Sequence, residues 1–157
     1  NNPNIILDIY GGGSDKQIAA AKKLADSIGI KEKVVWHGNQ PNNVVNNAMR
    51  NAQLFFFTSV SEDTSTVVLE AVSNHLPVLC FDTCGMATVI DSNVGRKIPL
   101  SNPAQSVNDF ARILNELEHD RGLLKQLSVN CKQRQIELSW EEKAKTMMEW
   151  YEKILRK

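Results

Sequence analysis

Short apolar runs alternate along this chain with segments that have the residue spacing of amphipathic helices. The strand-like runs span residues 4–10, 33–37, 54–58, 77–81 and 95–100. Strands that are apolar throughout belong to parallel sheets that helices cover on both faces. Right-handed crossovers between such strands give a doubly wound sheet of the Rossmann type. We therefore predict an α/β fold built on a doubly wound parallel sheet.

Helix starts are marked by capping residues. Ser14 and Gln17 form a capping box, and Asn102 precedes Pro103 at the first position of a later helix. The last helical segment carries an apolar stripe at steps of four and three: Trp140, Ala144, Met147, Tyr151 and Ile154. The stripe predicts the face by which the terminal helix docks.

Length and charge limit the possible functions. The chain has 157 residues, which suits a single domain over residues 1–157. Lys and Arg number 18 and so do Asp and Glu, which argues against a nucleic-acid or anionic-membrane partner. No apolar run approaches the roughly 20 residues of a membrane span, and no signal peptide is visible.

The cysteines predict the redox setting. Cys80, Cys84 and Cys131 are odd in number and irregularly spaced, which does not suit a disulfide framework. A reducing, cytoplasmic setting is expected, with peripheral membrane association of a full-length protein left open. No second Cys or His pair accompanies the first two cysteines, so no metal site is expected.

Ligands of open parallel sheets bind beyond the carboxyl ends of the strands. The candidate loops are residues 11–15, 37–40, 59–65 and 82–86. The first contains a glycine run, but Lys16 stands where a dinucleotide fingerprint needs its third glycine. A nicotinamide-dependent oxidoreductase is therefore disfavoured, and the glycines predict only a tight turn.

The third loop carries two carboxylates around a helix start. Glu62 lies in the loop and Glu70 lies about one turn inside the helix, which begins near Ser65 or Thr66. The free N–H groups of such a helix start favour an anion by roughly 0.3–1 kcal/mol, and a diphosphate fits there. Glu70 can accept hydrogen bonds from ribose hydroxyls and Glu62 from sugar hydroxyls. The plainer alternative is a solvated loop acid and a surface helix residue.

This acidic frame resembles the group 1 glycosyltransferases. Seven residues separate Glu62 from Glu70, Ala71 follows, and Pro77-Val78 comes shortly afterwards, as in the C-terminal domain of that family. The resemblance implies a retaining transferase of the two-domain GT-B type. This chain would be the donor-binding C-terminal half, and the acceptor-binding N-terminal domain is not part of it.

The glycine turns at Gly11-Gly12-Gly13 and at Trp36-His37-Gly38 are similar to two further turns of the family. The resemblance implies that Glu62 contacts the transferred sugar as the catalytic residue and that Glu70 holds the ribose. The other donor-binding residues that it implies are Thr64, Ser65, Thr66, Gly12, Gly13, His37, Gly38 and Asn39. It also implies a nucleotide-diphosphate sugar as donor, a polysaccharide or glycoconjugate acceptor, and no metal or other cofactor.

Several positions depart from the family pattern. Asp63 adds a negative charge beside the anion site, Thr88 replaces a glutamate, and His75 stands where a glycine ends the helix. The resemblance also implies an opening strand with an Arg and a Lys for the diphosphate, and we expect this chain to lack that strand. We expect this chain alone to bind donor weakly and to transfer negligible sugar.

Two further alternatives remain from the sequence. The first is a degenerate, non-catalytic domain that binds a nucleotide or a partner. The second is a sugar-nucleotide epimerase, although the spacing of the two acids resembles the transferases better. Arg96 and Lys97 could reach an anion, but an exposed position at a strand edge is the expectation for both.

Overall fold

The computed structural model describes residues 4–63 and 65–156, and these contain five strands and seven α-helices. The strands are β1 (Leu7–Tyr10), β2 (Val34–Gly38), β3 (Phe55–Phe56), β4 (Val78–Phe81) and β5 (Gly95–Ile98). The helices are α1 (Asp15–Ser27), α2 (Asn42–Asn51), α3 (Thr66–Ser73), α4 (Cys84–Val89), α5 (Pro103–His119), α6 (Arg121–Glu137) and α7 (Trp140–Leu155). Every strand pair is parallel, which confirms the predicted fold class.

The chain divides into two compact units, Asn1–Ala48 and Met49–Lys157. In the first unit β1 pairs with β2, and α1 forms the crossover between them. The predicted capping box at its start is present: the side chain of Ser14 accepts from the Gln17 amide, and the Gln17 side chain accepts from the Ser14 amide. The carboxyl ends of both strands therefore reach the same edge of this sheet.

The second unit contains the sheet β3-β4-β5. All four residues of β4 are buried, because this strand has a neighbour on each side. β3 is shorter than the predicted run of residues 54–58, because among the described strands it pairs only with β4. Its amides at Phe55 and Phe57 donate to the carbonyls of Pro77 and Leu79.

Two long helices pack against this sheet. α5 begins with the predicted Asn102 cap, whose side chain accepts from the Gln105 amide at 3.0 Å. Phe110 on α5 makes edge-to-face contacts with Phe56 and Phe81. The core cluster contains Leu79, Phe81, Ile98, Phe110, Ile113, Leu117, Leu124 and Leu127. Burial of each such side chain stabilises the fold by about 1.5–3 kcal/mol. The sheet is therefore a stable support for the loops that follow its strands.

Two features differ from the sequence expectations. Residues 82–86, predicted to be loop, include the start of the short helix α4. The apolar stripe of α7 is not packed: no residue of this helix is buried, and Trp140 is 84% exposed. His75 adopts a left-handed conformation, with φ of 59°, which is uncommon for a residue other than glycine.

Candidate functional site

Glu62 lies in the loop that leaves the carboxyl end of β3. It is half-buried, and its Oε1 accepts a hydrogen bond of 2.8 Å from the hydroxyl of Ser59. This bond holds the carboxylate against its own loop and leaves Oε2 for a further donor. The serine is a functional neighbour that the sequence interpretation did not single out.

The helix that follows this loop begins at Thr66, as predicted. Glu70 is the fifth residue of α3 and is half-buried, so it lies about one turn beyond the helix start. Thr66 is exposed at the first helical position, and Thr64 lies outside the described residues. The first amides of a helix have no partner within it, so this end of α3 offers N–H donors to a ligand.

Ser65 is the N-cap of α3, and its hydroxyl is the most informative atom of the site. Only 7% of the residue is exposed, and its side chain makes no capping hydrogen bond. Its Oγ is a buried side-chain oxygen without a hydrogen-bond partner among the described residues. A buried hydroxyl of this kind costs about 1–3 kcal/mol, and the cost disappears when a ligand bonds to it.

A second group of predicted residues meets at the carboxyl ends of β1 and β2. A Cβ at Gly12 would lie 2.8 Å from Nδ2 of Asn39, so glycine lets this amide approach the backbone. Gly38 has φ of +66°, a left-handed conformation that favours glycine. Gly13 has more room, with its nearest neighbour 3.7 Å from an added Cβ.

His37 has defined partners within the same unit. Its Nε2 lies 2.7 Å from Oδ1 of Asp8, and its ring stacks on Tyr10 with centroids 4.3 Å apart. These contacts fix the orientation of the imidazole, because stacking on Tyr10 sets the ring plane and the contact with Asp8 sets the position of Nε2. The predicted residues His37, Gly38, Asn39, Gly12 and Gly13 thus share one edge of the first sheet.

Cys84 was missed as a neighbour of Glu62. It is exposed, has a left-handed φ of 52°, and follows β4, the strand next to β3. A hydrogen bond from the Glu62 backbone amide lowers the pKa of its thiol, and the Thr83 side chain adds to this. The carboxylates of Asp63 and Glu62 oppose the shift. The adjacency of parallel strands was the signal that could have revealed this contact.

Arg96 and Lys97 were expected at an exposed strand edge. Among the described strands β5 does lie at the edge of its sheet, but the expectation of exposed side chains is wrong. Each side chain is only 22% exposed. Lys97 Nζ lies 2.7 Å from Oδ1 of Asp82 and also donates to the carbonyl of Ala87, while Arg96 donates to the carbonyls of Ser92 and Gly95. Both cations are held by partners inside the second unit.

Two kinds of feature are absent from the described residues. Residues 4–63 and 65–156 contain no cluster of three or more His, Cys, Asp or Glu side chains able to hold a metal ion. Within the same residues, no helix has the length and apolar character needed to span a bilayer.

Comparisons with known proteins bear on this arrangement. The family described as "Glycosyl transferases group 1" matches residues 1–134, so this chain belongs to that family. The D-inositol 3-phosphate glycosyltransferase of Streptomyces bingchenggensis is 26% identical over 156 residues, which are 97% of this chain and 33% of that protein. The chain thus spans about a third of this curated relative.

Solved structures agree with the fold. The crystal structure of WaaG, a glycosyltransferase involved in lipopolysaccharide biosynthesis, matches 84% of this chain and 34% of its own, with a TM-score of 0.70 and 26% identity. The pneumococcal O-GlcNAc transferase GtfA, solved with UDP and GlcNAc, matches 99% of this chain and 30% of its own, with a TM-score of 0.76 and 20% identity. The predicted GT-B half-domain is thereby confirmed as the fold.

Proposed function

We propose that this chain is the donor-binding domain of a retaining glycosyltransferase that uses a nucleotide-diphosphate sugar. The unpaired hydroxyl of Ser65 carries the proposal, because it is buried at the start of α3 between the two acids of the family motif. A diphosphate oxygen is a suitable acceptor for this O–H and for the adjacent helix amides. One structural relative, HepE of Anabaena, was solved both with UDP and with UDP-glucose, which supports the ligand class.

The roles of the two acids follow from their positions in the motif. In the proposal Glu62 accepts hydrogen bonds from the transferred sugar, and Glu70 accepts them from the ribose. The proposal also directs the amides of Ser65 and Thr66, at the start of α3, toward the diphosphate, and the same role for Thr64 stays a prediction. The assignment of Gly12, Gly13, His37, Gly38 and Asn39 to the donor stays a prediction.

The chemistry that this domain would serve is departure of the diphosphate with retention at the sugar carbon. Charge develops on the leaving group in the transition state, and preorganised donors that stabilise it supply the largest part of catalysis. The helix start and the Ser65 hydroxyl are such donors. We propose that the acceptor is a polysaccharide or glycoconjugate, because the structural relative WaaG is involved in lipopolysaccharide biosynthesis. The acceptor would be bound by another part of a longer protein.

A binding panel tests the proposal directly. UDP-glucose, GDP-mannose and ADP-glucose are titrated by calorimetry into the wild-type chain and into Glu70→Gln. We expect one of them to bind, and we expect Glu70→Gln to weaken it roughly tenfold, since a hydrogen bond to a charged group contributes about 1.5–3 kcal/mol. An unchanged affinity contradicts the ribose role.

Ser65→Ala tests the proposal a second time, because it should affect stability and affinity differently. Because the hydroxyl has no hydrogen-bond partner in the described part of the chain, its removal should leave the free energy of unfolding unchanged or raise it by about 1 kcal/mol. The same change should weaken nucleotide-sugar binding. A loss of stability without a change in affinity would indicate an ordinary structural serine.

The alternative function is a degenerate domain, and Asp63 favours it because its carboxylate adds negative charge beside Glu62. Absence of binding by all three nucleotide sugars, in a chain shown to be folded, would support that alternative. The proposal includes no metal, so addition of EDTA should leave the affinity unchanged, and a large loss would contradict this part.

A further inference from the structure

Helix α7 has a continuous apolar face that the described parts of the chain leave uncovered. At about 3.6 residues per turn, seven large apolar side chains fall within an arc of about 160°. Each of the seven is between 48% and 85% exposed. Lys143 also lies in this arc, and its Nζ is 5.6 Å from the centroid of the Trp140 ring. The apolar face of α7 consists of Trp140, Met147, Met148, Trp150, Tyr151, Ile154 and Leu155.

A helix with such a face needs a partner. No residue of α7 is buried, and Glu142 is its one half-buried residue. A helix of 16 residues is only marginally stable in water by itself, because most helical stability in proteins comes from the packing of an amphipathic face. Trp, Tyr and Met are the side chains that protein–protein interfaces favour. The composition of the face therefore indicates a protein partner with an apolar surface of its own.

The charges of α7 do not favour a lipid surface. Residues 140–156 contain four acidic and four basic side chains, so the polar side of the helix has no net charge. Arg156 Nη2 lies 3.3 Å from Oε2 of Glu152, and Lys145 contacts Glu142. Helices that lie in a membrane surface carry mainly Lys and Arg on the polar side. A protein surface is therefore the better match.

The order of these charges matches a second copy of the same helix that runs in the opposite direction. The first turn is acidic, with Glu141 and Glu142, whereas the last turn is basic, with Lys153, and Arg156 follows. An antiparallel copy brings each acidic start beside a basic end. A parallel copy would bring like charges together at both ends, which is unfavourable.

The spacing along one border of the apolar face fits the same arrangement. Glu141 and Arg156 are equally far from the point just after Met148, and so are Lys145 and Glu152. In a two-fold pair centred at that point, each of these acids lies level with a base of the other copy. This border is therefore complementary to itself only when the two helices are antiparallel.

We propose that the apolar face of α7 is a dimer interface, in which two copies of this chain pair their α7 helices antiparallel about a two-fold axis near Met148. Such an interface buries the same face on both copies. Met147 of one copy then packs beside Trp150 of the other. Burial of the apolar side chains stabilises the pair, and the charges set its direction, because exposed ion pairs contribute little by themselves.

Sedimentation equilibrium tests the pairing. We expect the wild-type chain to form a dimer and Met147→Glu to dimerise at least roughly tenfold more weakly, because a carboxylate would be buried at the centre of the pair. Thr146→Glu introduces the same residue at the neighbouring position, outside the apolar face, and should keep the dimer. Met147 is exposed in the single chain, so urea denaturation should show that its substitution leaves the core folded.

Chemical cross-linking tests the direction of the helices. Met147→Cys or Ile154→Cys is added to Cys84→Ser, which removes the exposed native thiol. In the antiparallel pair the two copies of residue 147 are about 5 Å apart along the helix axis and those of residue 154 about 17 Å apart. A short bismaleimide should therefore join Met147→Cys into a covalent dimer and leave Ile154→Cys unjoined.

Three results would overturn the inference. A chain that stays monomeric at every soluble concentration leaves the face to a different partner, such as another part of a longer protein or, if the monomer binds phosphatidylcholine vesicles, a membrane. A dimer that Met147→Glu and Thr146→Glu affect equally uses another surface. Equal cross-linking of the two cysteine variants contradicts the antiparallel direction. None of these results depends on nucleotide-sugar binding, so the inference can fail without the proposed function.

Discussion

The α-carbon of Gly95 lies directly against the backbone carbonyl of Val78 on the neighbouring strand. A Cβ at position 95 would stand 2.2 Å from that oxygen and 2.8 Å from Cγ2 of Ile90. The oxygen belongs to the backbone of the buried strand β4, so it cannot move without disturbing the sheet. Glycine at this position is therefore a condition for pairing β4 with β5.

Gly95→Ala should consequently be strongly destabilising. We expect a loss of about 3 kcal/mol in the free energy of unfolding, at the upper end of overpacking effects, measured by urea denaturation. Gly13→Ala is the control, since its nearest neighbour to an added Cβ is 3.7 Å away. A decrease of less than about 1 kcal/mol in the free energy of unfolding at position 95 would show that β4 and β5 can move apart with little loss of stability.

Ser59→Ala tests the hydrogen bond to the Glu62 carboxylate. The bond is part-buried, so we expect its loss to weaken the binding free energy of the nucleotide sugar by about 1 kcal/mol. This corresponds to roughly a fivefold lower affinity. Affinity for the nucleotide diphosphate should not change. Ser61→Ala, an exposed serine of the same loop, is the control in the same calorimetric titration. Equal effects of the two substitutions would contradict a specific role for Ser59.

The buried thiol of Cys131 predicts a pH dependence of stability. Burial raises its pKa from 9.0 to about 11, and its Sγ donates to the carbonyl of Val94. The unfolded chain therefore loses this proton at lower pH than the folded chain, so it binds fewer protons between pH 9 and 11. The contribution is fully present below pH 9 and is lost as the pH rises toward 11.

Cys131→Ala isolates this contribution. The free energy of unfolding of the wild-type chain should fall across this window, and that of Cys131→Ala should fall less steeply. The slopes are compared by urea denaturation at each pH, because the substitution also removes packing and lowers the absolute value. Identical slopes would mean that the thiol titrates alike in both states.

The N-cap of α5 gives a prediction about local stability. Asn102 accepts from the Gln105 amide, and the helix supplies Phe110, Ile113 and Leu117 to the core. Asn102→Ala should cost about 1 kcal/mol, and Asn102→Ser should retain most of that. Thermal unfolding followed by circular dichroism distinguishes them, and equal melting temperatures for the two variants would contradict the capping role.

Local features of this fold were predictable because their causes are local. The capping box at Ser14 and the Asn102 cap depend on a few neighbouring residues, and both are present. The parallel sheet followed from continuous apolar runs, since only burial on both faces favours them. The position of Glu70 one turn inside α3 followed from the helix start.

Features that join distant segments were not predictable in the same way. Arg134 lies 45 residues from Val89 and 46 from Thr88 along the chain, and no periodicity signals these contacts. Lys97 was misjudged because a lysine in a short strand suggests an exposed edge, whereas Asp82 and α4 cover it here. The unpaired hydroxyl of Ser65 is likewise a property of its surroundings.

The sequence by itself determined the order of the strands, the capping residues and the acidic frame of the glycosyltransferase family, because these depend on residue type and spacing, whereas the short helix α4 was not predicted. Only the tertiary structure decided which carbonyl and carboxylate groups pair with Lys97 and Arg134. The physical reason is that a cationic side chain pairs with the carbonyl or carboxylate that the folded chain brings within hydrogen-bond distance. These groups belong to segments that are distant from it in the sequence.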